Sequence, residues 1–263
     1  MFSVNVLTIG FFYSDAGASL GNLPRTIWGR FLSVDEKHRH KLNLNLLLIQ
    51  DGERVILVDT GVGNKLNAKM QEIFSASLIS FDVALAAHNL APHDITDVIM
   101  THLHQDHAGG IVSFNEQGEK YLTFPNATYH IQKQEWEIAK HPDILNRAAY
   151  DYENNLKLLD QTGKLNLIEG EFQLTASVSM KYVGGHSEGS QIVLVNHPAH
   201  KLIYAGDIIP SSVFLKVPIT SAYEVCRRDT VKAKLWILDK IENQGYTLIY
   251  DHSTKELHYA KNN

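Results

Sequence analysis

Between Thr101 and Gly110 the chain reads Thr-His-Leu-His-Gln-Asp-His-Ala-Gly-Gly. His102, His104, Asp106 and His107 place three imidazoles and a carboxylate within six residues. These side chains suit zinc, manganese, iron and cobalt. Buried together without an ion, they leave polar groups to satisfy. A short apolar run, Asp97-Val98-Ile99-Met100, leads in and two glycines follow, the pattern of a strand entering a turn. In the extended part His102 and His104 point the same way, because side chains alternate along a strand. Past the turn, Asp106 and His107 can point elsewhere. That geometry suits two metals side by side, each taking part of the cluster.

Four side chains cannot fill two sites, so further ligands must come from other strand ends. Three segments offer them. Gly184-Gly185-His186-Ser187 lies between two strands, and its glycines let the backbone turn sharply. Tyr204-Ala205-Gly206-Asp207 ends the next hairpin with a carboxylate, and Tyr250-Asp251-His252-Ser253 ends the last strand with a histidine. Singly, Asp207 or His252 reads equally well as a structural cap. Together, in this order, they point to one rim. Cys226 is the single cysteine, so no intrachain disulfide forms, and without activating neighbours it reads as structural.

The elements that must carry these residues follow from patterning. Residues 3 to 12 read as a strand. Ser14 to His40 is irregular yet apolar, and either folds over the core or forms a pocket wall or dimer contact. Leu42 to Gln50 and Arg54 to Asp59 form a hairpin turning at Asp51-Gly52. Helices are expected over Ser80 to Asn89, Lys133 to Lys140 and Ala148 to Leu159. The last runs from Asp229 to Glu242, with Val231, Leu235, Leu238 and Ile241 as its apolar face. Further strands are Asp97 to Met100, Ala127 to Ile131, Leu165 to Ile168, Val178 to Val183, Ser190 to Val195, Leu202 to Tyr204 and Thr247 to Tyr250. Strands and helices alternating in blocks predict a layered α/β fold, helices outside and mixed sheet inside. No Gly-, Ser- or Pro-rich linker divides the 263 residues, so 1–263 reads as a single domain.

The formal charge of −5 argues against nucleic-acid binding by phosphate neutralisation. No signal-peptide pattern opens the sequence, and no apolar run is long enough to span a bilayer. A cytoplasmic protein with no membrane contact is the expectation.

Taken together, His102-Leu103-His104-Gln105-Asp106-His107, Gly185-His186-Ser187, Gly206-Asp207 and Asp251-His252 resemble the ordered signature of the metallo-β-lactamase-fold hydrolases. Asp59, in Val58-Asp59-Thr60-Gly61, matches that family's first motif, and the resemblance runs from about Leu42 to His252. It implies a four-layer αβ/βα sandwich with two mixed β-sheets and outer helices, the metals lying at one edge. It further implies that His102, His104 and His186 bind one divalent ion and Asp106, His107 and His252 the other. Asp207 would bridge both, and Asp59 would orient the cluster through hydrogen bonds. Zinc is the first expectation, with manganese, iron or cobalt as alternatives. Two such ions activate water for attack on a carbonyl or phosphoryl group, with Asp106 placed to orient it and pass on a proton.

Asp207 stands where lactam-cleaving relatives use cysteine, and His104 where oxygen-reducing flavo-diiron relatives use glutamate. Only Ser253 to Asn263 follow the last motif, too few for the helical substrate domain of glyoxalase II-type thioesterases. The closest resemblance is to the lactonase and methyl-parathion-hydrolase-like branch. It implies a small-molecule lactone or carboxylic ester substrate, with phosphotriesterase side activity and a quorum-quenching role as further expectations. Pro210 stands where compact homoserine-lactone lactonases often carry a tyrosine, and Tyr223 can serve instead from another loop. Trp28, Phe31, Phe214 and Tyr223 are the expected apolar pocket. The alternatives are a mononuclear-iron persulfide dioxygenase or a thioester hydrolase on the same fold, and a non-catalytic metal-dependent scaffold. A homodimer is compatible with all of these.

Overall fold

The computed structural model describes residues 2–260. Strand β1 (Phe2–Asp15) pairs antiparallel with β2 (Arg39–Asp51), which pairs antiparallel with β3 (Arg54–Val58). Asp51 faces Arg54, so the hairpin turn is Gly52-Glu53, one residue beyond the expected Asp51-Gly52. Gly52 sits at φ +66, a left-handed conformation that glycine adopts without steric cost. Strand β4 (Ser77–Leu78) flanks β1. Strand β5 (Asp97–Ile99) runs parallel to β3. Strands β6 (Val112–Phe114) and β7 (Lys120–Leu122) form a separate ribbon, and β8 (Thr128–Gln132) and β9 (Leu165–Ile168) extend the sheet in parallel. Its order is β4-β1-β2-β3-β5-β8-β9.

The second sheet holds β10 (Glu171–Gln173), β11 (Val178–Tyr182), β12 (Gln191–His197), β13 (His200–Tyr204), β14 (Thr247–Ile249) and β15 (His258–Tyr259), in that order. All its pairs are antiparallel except β13 with β14.

Alternation along the strands splits each into two faces. Leu47, Ile49, Ile56, Val58 and Ile99 of the first sheet pack on Val178, Met180, Val193, Val195 and Ile249 of the second. The intervening Leu46, Leu48, Leu57 and Val98 face outward. They share a core with Leu85, Trp136, Ala139 and Leu159, which lie on helices covering that sheet. The α-helices are α1 (Ala16–Leu20), α2 (Arg25–Trp28), α3 (Ala68–Phe74), α4 (Phe81–Ala86), α5 (Gln105–Ala108), α6 (Lys133–Lys140), α7 (Lys157–Asp160) and α8 (Arg227–Gln244). On the far side Ile192, Ile203 and Leu248 pack on Ala233, Ile237 and Ile241 of α8 and on Leu20 and Trp28. Helix, sheet, sheet, helix is the four-layer αβ/βα sandwich.

Several elements differ from expectation. The irregular Ser14–His40 segment contains α1 and α2. The helix expected over Ala148 to Leu159 begins only at Tyr152, because the Asp151 carboxylate accepts the Asn154 N–H and caps it there. Its first part, Tyr152–Leu156, is π-helical, and α7 follows. In α8 the buried face is Thr230, Ala233, Lys234, Ile237 and Ile241, while Leu235 is 55 % exposed. The winning stripe includes Ala233, small enough for close approach, and Lys234, whose amine donates to the Ile219 carbonyl and lies over the Phe214 ring. No helix of the described residues is long and apolar enough to cross a membrane.

Candidate metal centre

Parallel pairing sets the rim. Strands β3 and β5 run side by side, so Asp59 and the Thr101–His107 turn emerge at one edge of the first sheet. Strands β13 and β14 do the same in the second, delivering Asp207 and His252. His186 comes from the β11–β12 connection. Gly185, at φ +94, packs its Cα side against Thr230, where an added Cβ would meet backbone at 2.5 Å.

The seven residues converge in two adjoining groups. Donor atoms of His102, His104 and His186 lie within 4.8 Å of one another, as do those of Asp106, His107, Asp207 and His252. His186 Nε2 is 3.0 Å from His104 Nδ1. Asp207 reaches both groups: Oδ2 is 3.2 Å from His186 Nε2, and Oδ1 is 3.1 Å from His252 Nε2 and 3.3 Å from His107 Nε2. Asp106 Oδ2 lies 3.5 Å from His252 Nε2 and 3.8 Å from His107 Nε2.

The opposite ring nitrogens are held from behind. His107 Nδ1 meets Asp59 Oδ2 at 2.9 Å, and the same carboxylate accepts from the Thr101 N–H and hydroxyl, both at 2.8 Å. His252 Nδ1 donates to the Asn43 carbonyl at 2.8 Å. His186 Nδ1 lies 3.5 Å from Glu224, whose carboxylate also accepts from Ser221 and Thr230 hydroxyls. Such partners fix the tautomer that leaves Nε2 free to ligate. Sequence reading placed Asp59 here but missed Glu224, which sits beside Tyr223 in a loop with no spacing pattern to reveal it.

A cation fits this donor set. His102 Nε2, His107 Nε2, His252 Nε2 and Asp207 Oδ1 are buried and have no hydrogen-bond partner. Buried polar atoms left without partners in two adjoining donor groups are costly unless ions join them. Charge divides the histidines within the groups as well as between them. Burial and the neighbouring His107 hold His102 well below the ordinary imidazole value, and burial with His186 brings His104 to about 3. Burial also works against protonated His107, yet Asp106, Asp207 and Asp59 push it well above the ordinary value. Burial opposes His186 too, but Asp207 and Glu224 raise it to about 9. Burial raises Asp106, but the neighbouring His107 and His252 bring it to about 2. His102 and His104 therefore offer neutral imidazoles, while His186 of the first group and His107 of the second hold protons that a cation would displace.

Above the rim lies a cavity of about 870 Å³. His104, Asp106, His186, Asp207 and His252 form its floor, and Phe12, Phe31, Phe74, Phe214 and Tyr223 part of its walls. Three of the four expected pocket aromatics are therefore present. Trp28 is not: it is 5 % exposed and packs with Leu20 and Ile208 in the core beneath the loops. An indole buries enough apolar area there to win over a cavity position. Burial raises the Tyr223 hydroxyl, which keeps its proton at neutral pH, and Ser14 hydrogen-bonds it.

The metallo-beta-lactamase superfamily model matches residues 42–250. An N-acyl homoserine lactonase from Bacillus thuringiensis is 27 % identical over 160 residues, 56 % of each chain. One from Bacillus cereus is 28 % identical over the same share. The chain thus spans about half the length of the curated relatives it matches. Among solved structures, a probable metal-dependent hydrolase from Staphylococcus aureus superposes with a TM-score of 0.90 at 27 % identity, covering 98 % of this chain and 91 % of that one. AidC, a dizinc quorum-quenching lactonase solved with N-hexanoyl-homoserine product, superposes at 0.74 with 22 % identity, covering 98 % and 89 %. The match over most of the chain, on a fold and donor set that agree with it, establishes that this protein belongs to the metallo-beta-lactamase superfamily.

Proposed function

We propose that this chain is a dinuclear metal-dependent hydrolase that opens a lactone or cleaves a carboxylic ester. The observation that carries the reading is Asp207, whose two oxygens face different histidine groups at 3.1 to 3.3 Å. A carboxylate so placed would serve two cations at once. His102, His104 and His186 would hold one, and Asp106, His107 and His252 the other. Such a pair, zinc first among the candidates, supplies a water of lowered pKa and a Lewis acid for a carbonyl oxygen.

The chain's own residues supply the rest. Asp106 borders both the second group and the cavity, so its carboxylate can accept a proton from the attacking water and return it to the leaving alkoxide. Tyr223 keeps its hydroxyl proton and lines the same cavity, where it can donate to the substrate carbonyl or the leaving oxygen. Phe12, Phe31, Phe74 and Phe214 exclude water from the apolar part of an acyl substrate. Similarity to N-acyl homoserine lactonases, and to AidC, a dizinc lactonase, supports the substrate class and the metal.

The test is a panel of lactones and esters assayed on wild type and His104→Ala, with metal content measured on both. Wild type is expected to hydrolyse at least one substrate, lose that activity on chelation and regain it with zinc, manganese or cobalt. Activity equal in the two proteins overturns the reading. One iron per chain with oxygen uptake would replace it with the dioxygenase alternative.

A further inference from the structure

Glu135 lies on α6, outside the first sheet, and is 1 % exposed. Four donors fill its carboxylate. Leu103 N–H (2.8 Å) and the Tyr150 hydroxyl (3.1 Å) reach Oε1. The Ser187 hydroxyl (2.6 Å) and Gly189 N–H (3.0 Å) reach Oε2. A buried carboxylate is costly unless its lone pairs are taken up, and here they are.

The donors are not scattered. Leu103 sits between His102 and His104, and Ser187 follows His186. The Tyr150 ring meets the His104 ring edge-on, centroids 5.1 Å apart. One side chain therefore grips the segments that carry all three imidazoles of the first group, drawn from both sheets. The approach is tight: a Cβ added at Gly189 would lie 2.3 Å from the Glu135 Cβ and backbone nitrogen. Glu135 does not line the cavity and has no part in the proposed chemistry.

We propose that Glu135 is a positioning residue that fixes the separation between the His102–His104 pair and His186, and so sets how tightly the first metal is held relative to the second. The inference rests on the two-metal reading above. Its physical core is the direction of the four hydrogen bonds. A glutamine in place of Glu135 presents an amide NH2 to one of the two oxygen positions. Each position receives a backbone N–H, from Leu103 or Gly189, that cannot rotate away as a hydroxyl can. Two donors then face each other, and one metal-bearing loop must move.

The experiment is equilibrium dialysis against buffered zinc, with melting temperature measured in parallel, on wild type, Glu135→Gln, Ser187→Ala and Asp97→Asn. Asp97 is a control of similar burial, 2 % exposed, that pairs with His130 and Arg54 and touches no metal-bearing loop. Wild type and Asp97→Asn are expected to bind two zinc ions with unchanged affinities, Asp97→Asn at a lower melting temperature. Glu135→Gln is expected to bind one of the two ions 10- to 100-fold more weakly, the loss typical of altered ligand support, and to keep the other. Ser187→Ala is expected to shift the same ion by less. It decides the matter if Glu135→Gln does not fold. Glu135→Gln binding both ions like wild type, or losing both equally, overturns the proposal while leaving the two-metal reading intact. Wild type binding fewer than two ions overturns both.

Discussion

Asp59 shows how much one side chain can settle. Its carboxylate is fully buried, accepts two hydrogen bonds from Thr101 and faces His107 Nδ1. An acceptor there keeps the proton on Nδ1 and Nε2 free. Its backbone, at φ +62, is in the left-handed region, which asparagine tolerates as well as aspartate. Asp59→Asn should therefore fold while presenting an NH2 to the His107 ring. The imidazole then accepts at Nδ1 and carries its proton on Nε2, the atom facing Asp207. Zinc affinity of the second group is expected to fall roughly 10- to 100-fold with an unchanged circular dichroism spectrum. Isothermal titration measures it, and wild-type affinity would remove Asp59 from any orienting role. Asp59 and the seven donors were readable because each ends a strand or belongs to a dense motif. Glu224 and Glu135 were not, because they meet their partners 38 and at least 15 residues away through folding alone. Trp28 shows the converse: an aromatic in a loop carries no mark of whether it faces a cavity or a core.

At the scale of elements, strand patterns survived better than helix faces. The period of two in β2 and β3 leaves one choice of inward face once a partner sheet exists, and the hairpin moved by a single residue. Helix α8 offered two overlapping apolar stripes, since 3.6-residue periodicity is broad enough to admit both. Packing chose the one containing Ala233 and Ile237. The choice has a measurable consequence. Ile237 is 0 % exposed and packs beneath the second sheet, so Ile237→Ala should cost about 2–5 kcal/mol in denaturant unfolding. Leu235→Ala, at an exposed position, should change stability by no more than about 0.5 kcal/mol. Equal losses would mean that α8 is rotated on its axis relative to the arrangement described. The short helices α1 and α2 escaped sequence reading because glycines and a proline interrupt any period, and their stability comes from the core they cover.

At the scale of the molecule, the candidate metal centre lies where the two sheets meet at one edge. His102, His104, Asp106 and His107 come from the first sheet, and His186, Asp207 and His252 from the second. A cation bound there would tie the two halves and would stabilise the folded state by mass action, about 2.7 kcal/mol per site at a hundredfold excess over Kd. For a chain of this size that corresponds to a melting shift of roughly 5–10 °C. The shift also depends on pH, with a definite sign. His186 is raised from 6.5 to about 9 in the metal-free fold by Asp207 and Glu224 against the cost of burial. Its protonated pairing stabilises the metal-free protein fully below about 6.5 and is lost as pH rises through about 9. A protein with a metal held by His186 would not carry that proton, so it would lose nothing over the same range. The zinc-induced shift should accordingly grow between pH 6.5 and 9, because the metal-free reference weakens. Differential scanning calorimetry with and without zinc at several pH values measures it. In Asp207→Asn both the shift and its pH dependence should shrink, since the bridge between the groups and the charge that raises His186 are removed together. A zinc shift that is absent, or that is the same in Asp207→Asn as in wild type, would mean that the two sheets are not joined through this centre.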